Sequence, residues 1–258
     1  MKAHTVFFSP TQTGATVSKT VQDNLKAETG DSFDITKAAA EKTFGADDVV
    51  IIAMPIYGGR LPGVAVERFK SIQGNGAKAV AVAVYGNANI GDALLELTDI
   101  CNEQGFNVVA AATFIGEHSF TMKDFPIAVG RPDAADREKA AEFAALVQEK
   151  LDAGESVTLP EVPGNLPYAK KTMAPPGVAA TAPNGNCTKC GLCEIACPTG
   201  AITMTEAGPQ IDGAKCIWCC ACVKVCPYHA MDITLPKIKE IAERLHTNFT
   251  ERQEPQWY

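Results

Sequence analysis

Nine of the ten cysteines lie between Cys187 and Cys226, and their spacing constrains the fold more than any other feature of the chain. Cys187, Cys190, Cys193 and Cys197, followed by Pro198, read C-x2-C-x2-C-x3-C-P. Cys216, Cys219, Cys222 and Cys226, followed by Pro227, repeat the same run. So many thiols in a chain expected in the cytoplasm point to metal and away from disulfides. Zinc sites pair C-x2-C units across a longer loop. A third cysteine at the same short interval, twice over, suits an iron–sulfur cube, with three thiolates wrapping one face. The fourth sits too close in the chain to close on that cube and reaches to the other one. The ligation known for this spacing gives one [4Fe–4S] cluster to Cys187, Cys190, Cys193 and Cys226, and a second to Cys216, Cys219, Cys222 and Cys197. Cys220, outside the pattern, reads as a buried unligated thiol, and Cys101, within a helical stretch, as a core residue.

Residues 1–153 have a different pattern. Strand-like stretches at 4–9, 33–36, 49–56, 79–85 and 108–115 alternate with helical ones at 15–28, 64–72, 92–104 and 133–151. The runs VVIIAMPI and AVAVAVY are apolar throughout, as in central parallel strands covered on both faces. Alternation of this kind predicts an α/β fold, a doubly wound five-stranded parallel sheet with right-handed crossovers. Prolines 160, 163, 167, 175, 176 and 183 mark residues 154–184 as a linker, either laid along the domains or a disordered tether. Residues 185–235 form the small cysteine domain, of α+β type. Residues 236–258 add one helix, 236–248, with Ile238, Ile241, Ala242 and Leu245 on one face, and a tail that gives no signal of its own.

The formal net charge is −7. Residues 1–165 carry 14 Lys and Arg against 22 Asp and Glu, and residues 166–258 carry nine against eight. That balance argues against nucleic acid as a partner. No apolar run is long enough to span a membrane, and the first residues do not read as a signal peptide. The expected location is the cytoplasm.

Three loops follow the central strands. The first, Ser9-Pro10-Thr11-Gln12-Thr13-Gly14-Ala15-Thr16, is rich in hydroxyls and opens a helix, which makes it either an anion site built from neutral donors or a plain threonine-rich cap. The second runs Pro55-Ile56-Tyr57-Gly58-Gly59-Arg60, the third Tyr85-Gly86-Asn87-Ala88-Asn89 and on to Asp92. In a doubly wound sheet such loops emerge together at the carboxyl ends of adjacent strands, where ligands bind.

These loops resemble those of flavodoxins. With Ile115-Gly116-Glu117-His118-Ser119-Phe120, Gly130-Arg131-Pro132-Asp133 and the eight cysteines, the chain resembles the prokaryotic flavodoxin–ferredoxin fusion proteins: a flavodoxin-like FMN domain followed by a two-[4Fe–4S] bacterial-type ferredoxin. The resemblance implies FMN phosphate at Ser9, Thr11, Gln12, Thr13, Gly14, Ala15 and Thr16. It implies ring contacts from Pro55, Ile56, Tyr57, Gly58, Gly59 and Arg60, with Tyr57 stacking and Gly58 or Gly59 turning a carbonyl toward flavin N5. Tyr85, Gly86, Asn87, Ala88, Asn89 and Asp92 would line the polar edge. Where flavodoxins often carry a second stacking aromatic, this chain has Ile90, which leaves one ring face open. His118 and Arg131 read as structural, a hydrogen-bonded loop histidine and an arginine paired with Asp133 or a neighbouring acid.

The function implied is electron transfer that links one-electron and two-electron redox partners through the clusters and FMN. The alternative is a ferredoxin-fed reductase of a small organic acceptor such as a quinone. Redox proteins are the expected partners, without nucleic acid or membrane; a homodimer is left open. Cofactors of this kind suggest an anaerobe.

Overall fold

The computed structural model describes residues 1–154, 161–171 and 177–258. The strands are β1 (Lys2–Phe7), β2 (Glu28–Asp34), β3 (Lys42–Thr43), β4 (Val49–Pro55), β5 (Ile72–Gln73), β6 (Lys78–Tyr85), β7 (Asn107–Ile115), β8 (Thr181–Pro183), β9 (Ile202–Thr205), β10 (Gly208–Ile211), β11 (Met231–Ile233) and β12 (Gln256–Trp257). The helices are α1 (Thr13–Asp23), α2 (Gly63–Phe69), α3 (Ala93–Glu103), α4 (Ala134–Asp152), α5 (Leu192–Ala196), α6 (Ala221–Lys224) and α7 (Pro236–Asn248).

The main sheet runs β12-β7-β6-β4-β1-β2. Its five strands from β2 to β7 are parallel. Leaving aside the small β3–β5 pair, their order is that of the flavodoxin-like doubly wound sheet. Side chains alternate between two cores. Val50, Ile52 and Met54 of β4, with Ala79, Ala81 and Ala83 of β6, face α2 and α3. Val49, Ile51 and Ala53, with Val80, Val82 and Val84, face α1 and α4. Strands sealed on both faces need no polar residue, hence the continuous apolar runs. The capping box at the start of α4, Asp133 with Asp136, fixes that helix where the sequence places it.

Two elements differ from the sequence expectation. The edge strand β2 begins at Glu28, and α1 ends at Asp23. An edge strand needs only backbone pairing on one side, so polar ETGDSFD serves. The sheet also has a sixth strand: β12 pairs antiparallel with β7, and Trp257 stacks on Phe143.

Residues 161–171 lie on the flavodoxin-like domain as a strap. Val162 joins its core, and the Asp92 carboxylate accepts the Asn165 and Ala169 N–H groups at 2.9 and 2.7 Å. Residues 155–160 and 172–176 of the expected linker, with Pro160, Pro175 and Pro176, lie outside the described residues. Beyond Gly177, β8 pairs with β11 and β9 with β10, closing the small cysteine domain. Helix α7 packs on it through Ile238. Among the described residues no helix is long and apolar enough to cross a membrane.

Candidate functional site

The eight patterned cysteines surround two cavities. Cys187, Cys190, Cys193 and Cys226 line the first; Cys197, Cys216, Cys219 and Cys222 line the second. Of the patterned thiols, each cavity thus takes three from one run and the fourth from the other, and Cys220 also borders the second cavity. This donor set suits a cube with four corners to hold.

The two runs are built alike. Lys189 and Gly191 in the first, and Trp218 and Cys220 in the second, hold left-handed backbone at matching positions, and Gly200 matches His229. The fourth sulfur of each run accepts a backbone N–H four residues on: Ala201 to Cys197 and Ala230 to Cys226, both at 3.2 Å. The Thr181 hydroxyl adds a contact to Cys222 Sγ at 3.3 Å. Such bonds set the electron density on sulfur and hence its redox potential. Burial pushes the Cys222 thiol up to about 11, so iron must displace protons as it binds. Cys220 holds the place that Gly191 has in the first run. It is sealed against Ala180, Ile233 and Ile238. Cys101 lies in the core of the flavodoxin-like domain.

At the first strand loop, Gln12 adopts a left-handed conformation and precedes α1. The Ser9 hydroxyl accepts the Ala15 N–H at 3.1 Å, and Thr16 Oγ1 donates to the Gln12 carbonyl. Those two hydroxyls shape the loop. The N–H groups of Thr13 and Gly14, at the start of the helix, remain for an anion. Such N–H groups at a helix start are donors of the kind that phosphate uses.

The second loop is a tight turn. Tyr57 and Arg60 exchange backbone hydrogen bonds, and Gly58 and Gly59 both have positive φ, as this turn type demands. The Gly59 carbonyl accepts the Asp92 N–H at 2.9 Å, and a side chain at Gly91 would run into it. Of the two glycines it is therefore Gly58 whose carbonyl is left to turn.

Four residues expected at the ring have other work. Arg60 is buried and forms a fork with Glu96 at 2.8 and 2.9 Å, reaches the Ala169 carbonyl, and stacks on Tyr168. Burial disfavours the Glu96 charge, but bonds from Arg60, the Leu61 N–H and Lys171 outweigh it and hold the carboxyl below its ordinary value. The side chain of Asp92 is spent on the strap, chiefly on the Ala169 N–H, which lowers its pKa. Asn87 binds the C-terminal tail: its amide donates to the Phe249 and Glu251 carbonyls and accepts the Gln253 N–H. Asn89 caps its own loop by accepting the Gly91 N–H. Of the other loop residues, Gly58 is exposed and Ile56, Tyr57 and Ala88 are partly exposed, whereas Tyr85 is buried and Gly86 is covered by His118.

Tyr57 also marks where the two domains meet. Burial, then the charges of the Cys219 and Cys220 sulfurs, raise the pKa of its hydroxyl well above the ordinary value. Phe120 and Met122 pack on the group around Cys220, and Ile217 packs on the flavodoxin-like core. Arg68 donates to the Pro198 carbonyl at 2.7 Å, and Lys224 pairs with Glu117. His118 lies against Gly86. Its Nδ1 accepts the Phe120 N–H at 2.9 Å, so the neutral ring carries its proton on Nε2. Burial, then Lys224, lower its pKa to about 4. Arg131 pairs with Asp136 and donates to the Gln253 carbonyl.

A family profile described as "4Fe-4S dicluster domain" matches residues 186–230. Ferredoxin-1 of Chlorobaculum tepidum is 47% identical over 47 residues, covering 16% of this chain and 76% of that protein. The chain belongs to the dicluster ferredoxins. Its ferredoxin domain also matches a subunit of the ion-translocating oxidoreductase complex of Methanosarcina acetivorans, 47% identical over 47 residues; the chain spans 18% of that relative's length, and the match covers 18% of this chain. Over 58% of this chain and 98% of the other, the structure is similar to a Fusobacterium nucleatum flavodoxin bound to flavin mononucleotide, at 14% identity and a TM-score of 0.41. The flavodoxin-like fold of the first domain rests on its own strand order. An iron–sulfur ferredoxin domain thus sits behind, and against, a flavodoxin-like one.

Proposed function

We propose that the chain is an electron carrier that joins two [4Fe–4S] clusters to FMN and so links one-electron with two-electron partners. The observation that supports this most is the junction where Phe120 and Met122 of the flavodoxin-like domain pack on the group around Cys220, at the edge of the second cavity. Cys187, Cys190, Cys193 and Cys226 would hold one cluster, and Cys197, Cys216, Cys219 and Cys222 the other. The N–H groups of Thr13 and Gly14 would hold the phosphate of FMN, with Tyr57 and Gly58 at its ring. Clusters supply one-electron steps, and a flavin accepts one or two electrons.

The chain's own residues supply position and field. Phe120, Met122 and Ile217 keep water from the junction. Neutral donors at the phosphate loop, in an acidic domain, disfavour added negative charge on the ring and lower its potential. Within the third loop, Asn87 is held by the C-terminal tail.

Reductive titration of anaerobically purified protein tests the reading. About four electrons per chain are expected, two for FMN and one for each cluster. An uptake of two without a flavin spectrum would remove the flavin from the proposal. Quinone turnover faster than free FMN achieves would replace the carrier with a reductase.

A further inference from the structure

The three loops at the carboxyl ends of the strands are held in two different ways. The first is shaped by its own residues: the Ser9 hydroxyl accepts the Ala15 N–H, and the Thr16 hydroxyl donates to the Gln12 carbonyl. The second and third contain Gly58, Gly59 and Gly91, all with positive φ, and glycine backbone gives up the most freedom when it is fixed. Both are gripped from distant sequence. Ala169 of the strap reaches the two loops at once: Asp92 accepts its N–H at 2.7 Å, and its carbonyl accepts the Arg60 guanidinium. The Asp92 N–H donates in turn to the Gly59 carbonyl at 2.9 Å, which joins the third loop to the second. At the other end of the third loop, Asn87 is 4% exposed. Its amide donates to the Phe249 and Glu251 carbonyls at 3.0 and 2.9 Å and accepts the Gln253 N–H at 3.0 Å. Between the two grips lie Ala88, Asn89, Ile90 and Gly91. The tail is itself pinned, by Arg252 on Asp133 at 2.7 Å and by Arg131 on the Gln253 carbonyl at 2.8 Å.

We propose that the strap, at Ala169, and the tail, at Gln253, are positioning elements of the flavin site: they set the second and third loops in their ring-binding form before a flavin arrives, and so decide how tightly the chain holds the ring. The inference rests on the FMN part of the proposed function and deepens it. Its physical ground is preorganisation. A loop that is fixed in advance gives up no freedom on binding, and affinity gains by what is saved. Arg60, Asn87 and Asp92 thus act on the flavin through the backbone they fix and not by touching it. The phosphate loop lies outside this grip, because its own hydroxyls hold it. The division makes a specific demand: the contribution of strap and tail belongs to the ring alone, and a flavin without phosphate must feel it in full.

The test uses the full-length, iron-loaded chain freed of flavin. It is titrated with FMN and with riboflavin, which has the ring and no phosphate, and quenching of flavin fluorescence reads the affinity. Ala169→Pro and Gln253→Pro each delete one backbone donor to the third loop and change no residue of any loop. Phe143→Ala, in the core on the opposite face of the sheet from α3, is the control for a merely structural effect. Each proline variant is expected to bind FMN about tenfold more weakly, a loss of ~1.4 kcal/mol, and riboflavin more weakly by the same factor. A chain ending at Asn248 removes all three partners of Asn87 and should lose at least as much. Phe143→Ala should lower the melting temperature and leave both affinities where they are. Unchanged affinity in both proline variants would overturn the proposal. So would a loss for FMN that riboflavin does not share, or an equal loss in Phe143→Ala. A wild-type chain that binds neither flavin would overturn the flavin reading itself, a result distinct from one confined to the variants.

Discussion

In the flavodoxin-like domain the central strands β4 and β6 are sealed on both faces by aliphatic and aromatic side chains, among them Ile51, Ile52, Phe114 and Phe143, with no solvent exposure. In the ferredoxin domain the buried groups are small: Ala180, Cys220, Ile233 and Ile238 in one, and Ile202, Cys222 and Met231 in the other, with ligand cysteines packed at their margins. The first domain holds itself together by burying apolar area. The second has too little to do so, and its order comes from what its thiols bind. One chain thus contains a scaffold that stands without cofactor and a module that needs one.

The sharpest way to break this comparison is to remove iron. Anaerobic chelation is expected to unfold the ferredoxin domain, seen as rapid proteolysis beyond Gly177, while the far-ultraviolet dichroism of the first domain persists. A ferredoxin domain that stays protease-resistant without iron would end the contrast. Next in size is Phe143→Ala, which empties a fully buried site beside Phe114 and Trp257. It should cost about 3–5 kcal/mol in the urea unfolding of the first domain and leave iron content unchanged. Glu96→Ala leaves Arg60 buried without its partner and should cost about 3 kcal/mol. Because Glu96 holds the strap alongside Asp92, through Lys171 and through Arg60 at Ala169, cleavage within residues 161–171 should accelerate as well. Asn87→Gly keeps the left-handed backbone and deletes three bonds to the tail. At about 1 kcal/mol for each bond it should cost about 3 kcal/mol and speed hydrogen exchange along β12.

Acid gives a smaller effect with a definite sign. His118 has a folded pKa near 4, below the ordinary value of about 6.5. The unfolded chain therefore binds the extra proton between those values. The contribution of His118 is complete above about 6.5 and declines as pH falls toward 4, by roughly 1–3 kcal/mol. In His118→Gln the stability of the first domain should vary less across that window; an unchanged slope would show that other groups carry it.

What the sequence makes legible follows the same division. Strands covered on both faces announce themselves as unbroken apolar runs, so β4 and β6 are plain. The edge strand β2 is polar and is placed by pairing alone, which no composition reveals. β12 has two residues, and its partner strand lies far back in the chain. The cysteine spacing names the ferredoxin module outright, because metal geometry tolerates little variation. The ring loops are only partly legible. Arg60, Asp92 and Asn87 have the right character for a cofactor edge, but a strap and a tail return from distant sequence to use them, and no local pattern signals that return. Cys220 is explained once the two runs are laid over each other, where it stands at the left-handed position of Gly191.

The tail has one more consequence. Asn87 and Gln253 touch across 166 positions, and the whole ferredoxin domain lies between α4 and β12. While that domain is folded, its own structure delivers the tail to the sheet edge at β7. Once it unravels, the same pairing must close a flexible loop of on the order of 100 residues, an entropic cost of about 4 kcal/mol. Loss of iron in one domain is thus expected to be felt in the other as the detachment of an edge strand, readable as hydrogen exchange at Ala111, whose N–H donates to the Tyr258 carbonyl.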